Sequence, residues 1–204
     1  MKKTLRFLLI ISTLAIGFYP AIYFFIDRKF GLLSTKSPEL LGNVFWNIGF
    51  YTHIICGGIA MLVGWSQFVS QWRNRYPALH RTLGKTYVIT AILSGLSGYS
   101  IAFFATAGTV AAAGFVGLAL VWLYTTWEAY SNIQKGRVEE HERLMLYSYA
   151  ACFGAVTLRI WFPLLSAILK DFDLAYQWAA WLCWVPNLLV VRLFKSYLTS
   201  PATP

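Results

Sequence analysis

Apolar residues run through this chain in long blocks, broken by short polar connectors. Blocks of about 20 residues are what an α-helix needs to cross a bilayer. They predict spans over about 7–26, 44–69, 86–105, 110–130, 144–169 and 174–191. Pro20 predicts a kink in the first span, Pro163 a bend in the fifth and Pro186 an interruption in the sixth. The turn at Ala107 to Thr109 is so short that spans three and four must be antiparallel neighbours.

Small and polar residues inside these blocks recur at three- and four-residue steps, the spacing of one helix face. Span two carries His53, Gly57, Ala60, Gly64 and Gln67. Span three with its lead-in carries His80, Gly84, Tyr87, Ala91, Ser94 and Gly98. Span four offers Gly114, Gly117, Val121, Tyr124 or Thr125, and Glu128; span five offers His141, Met145, Ser148, Cys152, Ala155 and Arg159. Four such stripes predict that spans two to five form a four-helix core, with close packing through small residues. No repeat or soluble domain interrupts the pattern, so residues 1–204 read as one polytopic, all-α membrane domain with six transmembrane helices.

Charge supplies the orientation. Gln71 to Tyr87 packs Arg73, Arg75, Arg81 and Lys85 around His80 between two apolar blocks, and the positive-inside rule holds such a connector in the cytoplasm. Lys2, Lys3, Arg6, Lys135, Arg137, Arg143, Arg192 and Lys195 then also fall inside, while Arg28, Lys29, Lys36 and Lys170 fall outside. Both termini are expected to be cytoplasmic. The basic Met1 to Arg6 before the first block resembles a signal peptide. However, the block is longer than a usual signal core and no small-residue cleavage motif precedes Asp27, so it is expected to remain as a span.

Composition agrees with this: 58% of residues are hydrophobic and 12% charged, where soluble chains carry about a quarter charged residues. The lipid bilayer is therefore the expected partner and a cell membrane the expected location. The net charge of +9 is explained by loops, not by nucleic-acid binding. The aromatic residues fit interfacial belts. Cys56, Cys152 and Cys183 lie inside apolar blocks without a paired spacing and read as packing residues.

The candidate chemistry lies in the histidines and the buried charges. His80 and His141 enter spans three and five from the same side, so their imidazoles are expected to face each other as axial ligands of a b-type haem. Gly84 would leave room for the ring edge, and Arg81, Lys85 or Arg143 would pair with its propionates. The alternative is that both histidines are solvated interfacial residues. His53 and Arg159 lie at comparable depth in the outer half. An arginine there needs a partner, such as His53, Tyr99, Ser97, or a bound anion or carbonyl. This predicts a quinone or small polar ligand site, or else a structural hydrogen-bond cluster. Glu128, near the inner end of span four, reads as a proton-handling carboxylate or a salt-bridge partner for Arg81 or Arg143.

In order, HIICGGIAMLVGWSQF, HRTLGKTY, WLYTTWEAY, HERLM, TLRIWFPLL and WVPNLL resemble a family of predicted bacterial membrane proteins known as a domain of unknown function, DUF2306. The resemblance covers about His53 to Asn187 and implies no particular activity. A fainter similarity is to the two-haem transmembrane cytochromes b. It implies that His80 and His141 form one ligand pair and His53 half of another, whose fourth histidine is missing from span four.

Three functions follow as expectations. The first is electron transfer through one haem b, working with quinone or a respiratory-chain protein. The second is a non-enzymatic assembly or interaction protein. The third is a small transporter that uses Glu128, His53 and Arg159. No Walker loop, nucleophile elbow, zinc-protease signature or dinucleotide fingerprint is present to support hydrolase, kinase or soluble dehydrogenase chemistry.

Overall fold

The computed structural model describes the backbone of residues 2–25 and 31–199 and the side chains of 7–25 and 31–193. The inward charges expected of Lys2, Lys3, Arg6 and Lys195 therefore lie outside the described side chains. So does the start of the first loop at Asp27, with Arg28 and Lys29. Among the described residues the secondary structure is entirely helical.

Helix α1 (Lys2–Phe18) passes through a 3-10 turn at Tyr19–Ala21 into α2 (Ile22–Phe25), so the kink falls at Pro20 as expected. A short α3 (Pro38–Gly42) precedes α4 (Val44–Gly64), which tightens into a 3-10 turn over Trp65–Phe68. There follow α5 (Ser70–Arg75), α6 (Pro77–Ala102), α7 (Gly108–Gln134), α8 (Val138–Cys152), α9 (Gly154–Leu169), α10 (Phe172–Leu182) and α11 (Val185–Thr199). Side-chain caps fix several starts. Asn43 accepts from Trp46 N–H at 3.0 Å to open α4, and Asp171 accepts from Leu174 N–H at 2.9 Å to open α10. Between α6 and α7, Ala107 and Gly108 both take positive φ, which makes the expected tight turn.

Three boundaries differ from the sequence expectation. Helix α6 begins at Pro77, nine residues before the expected start at Thr86, because a proline at the first helical position is preorganised to start a helix. His80 consequently sits inside the helix rather than in a loop before it. Span five breaks at Phe153, between α8 and α9, and Pro163 is carried within α9. Span six breaks at Cys183 and Trp184, and Pro186 falls in the first turn of α11. The two breaks adjoin and satisfy each other. The Thr157 hydroxyl donates to the Cys183 carbonyl, and the Asn187 amide donates to Ala150 O at 3.2 Å and Cys183 O at 2.9 Å. Backbone freed at membrane depth needs partners of this kind.

By length and composition, five segments could cross a membrane: Phe7–Phe25, Val44–Phe68, Gly108–Gln134, Val138–Leu169 and Phe172–Leu193. The third span of the six-span expectation, within α6, is not among them. Yet α6 runs antiparallel beside α4 for most of its length. Gly49 meets Ile101, Gly57 meets Ser94, Gly64 meets Tyr87, and Gln67 meets Gly84. Its lower hydropathy reflects the basic turns at its start and a stripe of small and polar residues facing α4 and the core, while Ile89, Leu93 and Leu96 face outward.

The core lies where α4, α6, α7 and α8 meet. It is built from Ala60, Met61, Tyr87, Ala91, Trp122, Ala129, Met145, Ala151, Cys152 and, from the first turn of α9, Val156. This is the four-helix core expected of spans two to five, except that beyond Val156 α9 turns away to pack against α10, around Phe162 and Tyr176. Helix α1 lies outside, on α4, where Gly17 and Gly58 approach each other closely.

Candidate functional site

One end of the bundle carries Arg73, Arg75, His80, Arg81, Lys85, His141 and Arg143 and is called here the basic end. Between α1, α4, α6, α7 and α9 lies a cavity of about 260 Å³ that extends toward the opposite end. Along α4 its wall runs from Trp46 to Met61, about 22 Å at 1.5 Å per residue. Its inner part is apolar, with Ile16, Met61, Leu118, Trp122 and Cys152. Its remaining wall holds the polar groups Tyr23, Lys36, His53, Ser94 and Arg159, and no aspartate or glutamate.

His53 and Arg159, expected to share a depth, thus share a cavity. The His53 ring is held by Ser94. Its Nδ1 lies 2.9 Å from the Ser94 carbonyl oxygen, which can only accept, so Nδ1 carries the proton. The Ser94 hydroxyl donates to the His53 carbonyl at 2.8 Å, tying the two helices together in both directions. The ring fits because position 98 is glycine: a Cβ there would lie 2.7 Å from His53 Nδ1. With Nδ1 protonated, Nε2 of the neutral ring is the nitrogen left to accept a hydrogen bond.

Arg159 pairs with none of the expected side chains. Its Nη1 donates to Ala155 O at 2.7 Å, and its guanidinium stacks over the Tyr19 ring at 4.3 Å. A charged side chain at membrane depth costs about 2.5–3.5 kcal/mol on insertion scales, and a desolvated cation–π contact returns about 2 kcal/mol. The described partners of Arg159, the Ala155 carbonyl and the Tyr19 side chain, are neutral, so the charge has no counter-ion among the described residues. Tyr99 takes no part, because it faces outward and packs edge-on against Phe103. Ser97 bonds back to Leu93 O in its own helix.

Sequence reasoning missed two members of this wall. Lys36 folds in from the α2–α3 connection, and its ammonium donates to Phe104 O at 2.5 Å and Thr106 Oγ1 at 2.8 Å. Burial holds its pKa below the usual lysine value. Trp46, stacked on Phe50, has a buried indole N–H with no acceptor among the described residues. Lys36 read only as a loop charge and Trp46 only as a belt aromatic, since neither lies on a polar stripe.

At the basic end, His141 lies close enough to His80 for its charge to act on the His80 imidazole. His141 Nδ1 lies 2.9 Å from the Ala129 carbonyl, so it donates there. The surroundings of His80 do not fit a haem. The pocket it lines with Ser66, Gln67, Trp72, Leu79 and Leu83 has a volume of about 10 Å³, room for about one water. The space expected beside Gly84 is filled by the Gln67 side chain, whose Oε1 would lie 3.1 Å from a Cβ there. Of the expected propionate partners Arg81, Lys85 and Arg143, two are otherwise engaged: Arg143 pairs with Glu140 at 2.5 Å, and Arg81 Nε donates to Pro77 O at 3.3 Å. No group of three or more histidine, cysteine or acidic side chains among the described residues could hold a metal.

Glu128 lies one helix away and pairs with neither Arg81 nor Arg143; the other described ion pair is Arg73–Glu142 at 2.5 Å, which fastens α5 to α8. Between the two ends, a buried hydroxyl chain crosses the core. Tyr87 Oη bonds Ser148 Oγ at 2.7 Å, Ser148 bonds Thr126 at 2.6 Å, and Trp122 Nε1 donates to Tyr87 at 3.3 Å.

These features define a class: an all-helical membrane protein with an amphipathic cavity enclosed by its bundle. Residues 50–195 match the family model "Predicted membrane protein (DUF2306)", and the chain belongs to that family. Comparison with curated proteins and with solved structures gives no match.

Proposed function

We propose that this protein binds a lipophilic molecule with an oxygen-bearing head inside its helix bundle. The observation that carries this reading is the shared cavity. Its wall is mostly apolar, and His53, Arg159, Lys36 and Trp46 converge on it with hydrogen-bonding capacity that the protein does not fully use. Such a wall suits an apolar tail, while the polar groups suit carbonyl, hydroxyl or acidic oxygens. Quinones and single-chain lipids both have this form. Electron transfer through a haem on His80 and His141 does not enter this reading, because Gln67 occupies the space the ring edge would need.

The test is to purify the protein from its membrane in mild detergent and extract it with organic solvent for mass analysis. A lipophilic molecule is expected at about one per chain, and it should disappear in Ala155→Trp, which fills the cavity from α9. Ala155→Leu provides a smaller plug should the tryptophan impair folding. Recovery of nothing above bulk lipid from the native protein would refute the reading.

A further inference from the structure

The charge of the cavity wall narrows the ligand further. Resting on the binding reading above, we infer that the head is an anion, specifically the carboxylate of a single-chain fatty acid.

Three observations support this. The wall contains two formal cations, Lys36 and Arg159, and no acidic residue. Neither cation has a carboxylate partner among the described residues: Lys36 reaches neutral oxygens, and Arg159 reaches Ala155 O and the neutral side chains of Tyr19 and Tyr23. Elsewhere the chain does neutralise its arginines when carboxylates are near, as Arg73 with Glu142 and Arg143 with Glu140 show. A third donor, the Trp46 indole N–H, is buried without an acceptor in the same wall.

A neutral quinone would satisfy hydrogen bonds but leave Arg159 without a counter-ion at membrane depth and Lys36 without one at the cavity mouth. A carboxylate supplies acceptor oxygens and one negative charge. Its planar pair of oxygens also matches the guanidinium fork, which an ammonium or indole cannot select. The tail follows from the rest of the wall. Gly57, Gly58, Met61, Leu118, Trp122 and Cys152 continue the cavity away from Lys36 toward the middle of the bundle, and none of them is charged. Arg159 is also accessible from the flank of the bundle, where Tyr19 covers it, so the acid has a way in from the lipid.

Native mass spectrometry in mild detergent, with oleate, oleyl alcohol and decyl-ubiquinone added separately, tests the inference. The expected result is a one-to-one oleate adduct, with the alcohol and the quinone at least about tenfold weaker. Arg159→Gln should lower oleate binding about tenfold and lower oleyl alcohol binding much less, and Arg159→Lys should restore part of the oleate loss. Alcohol or quinone binding as tight as oleate would overturn the anionic head while leaving a lipophilic site in place. Folded protein that binds none of the three would overturn both readings. Should Arg159→Gln not fold, the three-ligand comparison on the unaltered chain still decides.

Discussion

His53 and Ser94 hold each other across the α4–α6 interface: the imidazole Nδ1 sits 2.9 Å from the Ser94 carbonyl, and the Ser94 hydroxyl donates 2.8 Å to the His53 carbonyl. This pair of hydrogen bonds fixes the tautomer and orients the histidine in the cavity wall, and it depends on the absent side chain of Gly98.

Gly98→Ala is therefore expected to push the ring off the Ser94 carbonyl, since the new Cβ would lie 2.7 Å from Nδ1 and 2.9 Å from Cε1. Inserting a methyl into packed structure costs about 1–3 kcal/mol. Ligand binding should fall with it. Gly42→Ala is the control: nothing lies within 4 Å of its Cβ, so thermal stability should stay level or rise. Thermal unfolding in detergent, followed by tryptophan fluorescence, separates the two.

Tyr87→Phe removes the oxygen at the centre of the hydroxyl chain. The Trp122 indole N–H then loses its acceptor and Ser148 loses one of its partners, both in a buried site. A buried polar group left unsatisfied costs about 1–3 kcal/mol. Tyr149→Phe should cost less, because that hydroxyl makes only contacts of 3.3 Å and longer, to Thr13, Met61 O and Met61 Sδ. Equal midpoints for the two variants would contradict the assigned hierarchy.

The stripe on α6 shows how much could be read in advance. Gly84, Tyr87, Ala91, Ser94 and Gly98 were legible as one inward face because helical spacing alone places them there, and the structure seats each against α4 or the core. Depth alone put His53 and Arg159 at one level, and both line the one cavity, although they do not bond each other. Spacing does not report what fills a gap, so the space beside Gly84 read as room for a ring when Gln67 from α4's last turn occupies it. Nor does it report loop reentry, and Lys36 reached the cavity unseen. The break in span five was misplaced because Pro163 is the stronger local signal. The actual break at Phe153 is supported by Thr157 and Asn187, which are distant in sequence from each other.

Gly114 marks a contact with no slack. A Cβ there would lie 2.9 Å from the Ala180 carbonyl oxygen and 3.0 Å from its Cβ, and backbone cannot rotate away as a side chain can. Gly114→Ala should separate α7 from α10 and destabilise by about 1–3 kcal/mol. Gly117→Ala, one turn on, meets only the Trp184 ring at 3.3 Å and should be milder. The ordering of their unfolding midpoints checks this.

His80 gives the basic end a pH dependence of definite sign. Burial first, then the neighbouring charges of Arg73, His141 and Arg81, hold its pKa below the usual histidine value, and Glu142 only partly opposes them. The unfolded chain, with a pKa of about 6.5, therefore binds more protons than the folded one in the interval between the two values. Stability from this residue is full above about pH 6.5 and is lost as the pH falls toward the depressed folded value. Below that value no further loss accrues from His80. The unfolding midpoint should thus decline on acidification from pH 7 through 6, and His80→Gln should flatten that decline. Glu142→Gln removes the one opposing charge and frees Arg73 from its ion pair, so it should steepen the decline. A midpoint that rises on acidification over this interval, and does so only when His80 is present, would show that the imidazole is charged in the folded protein.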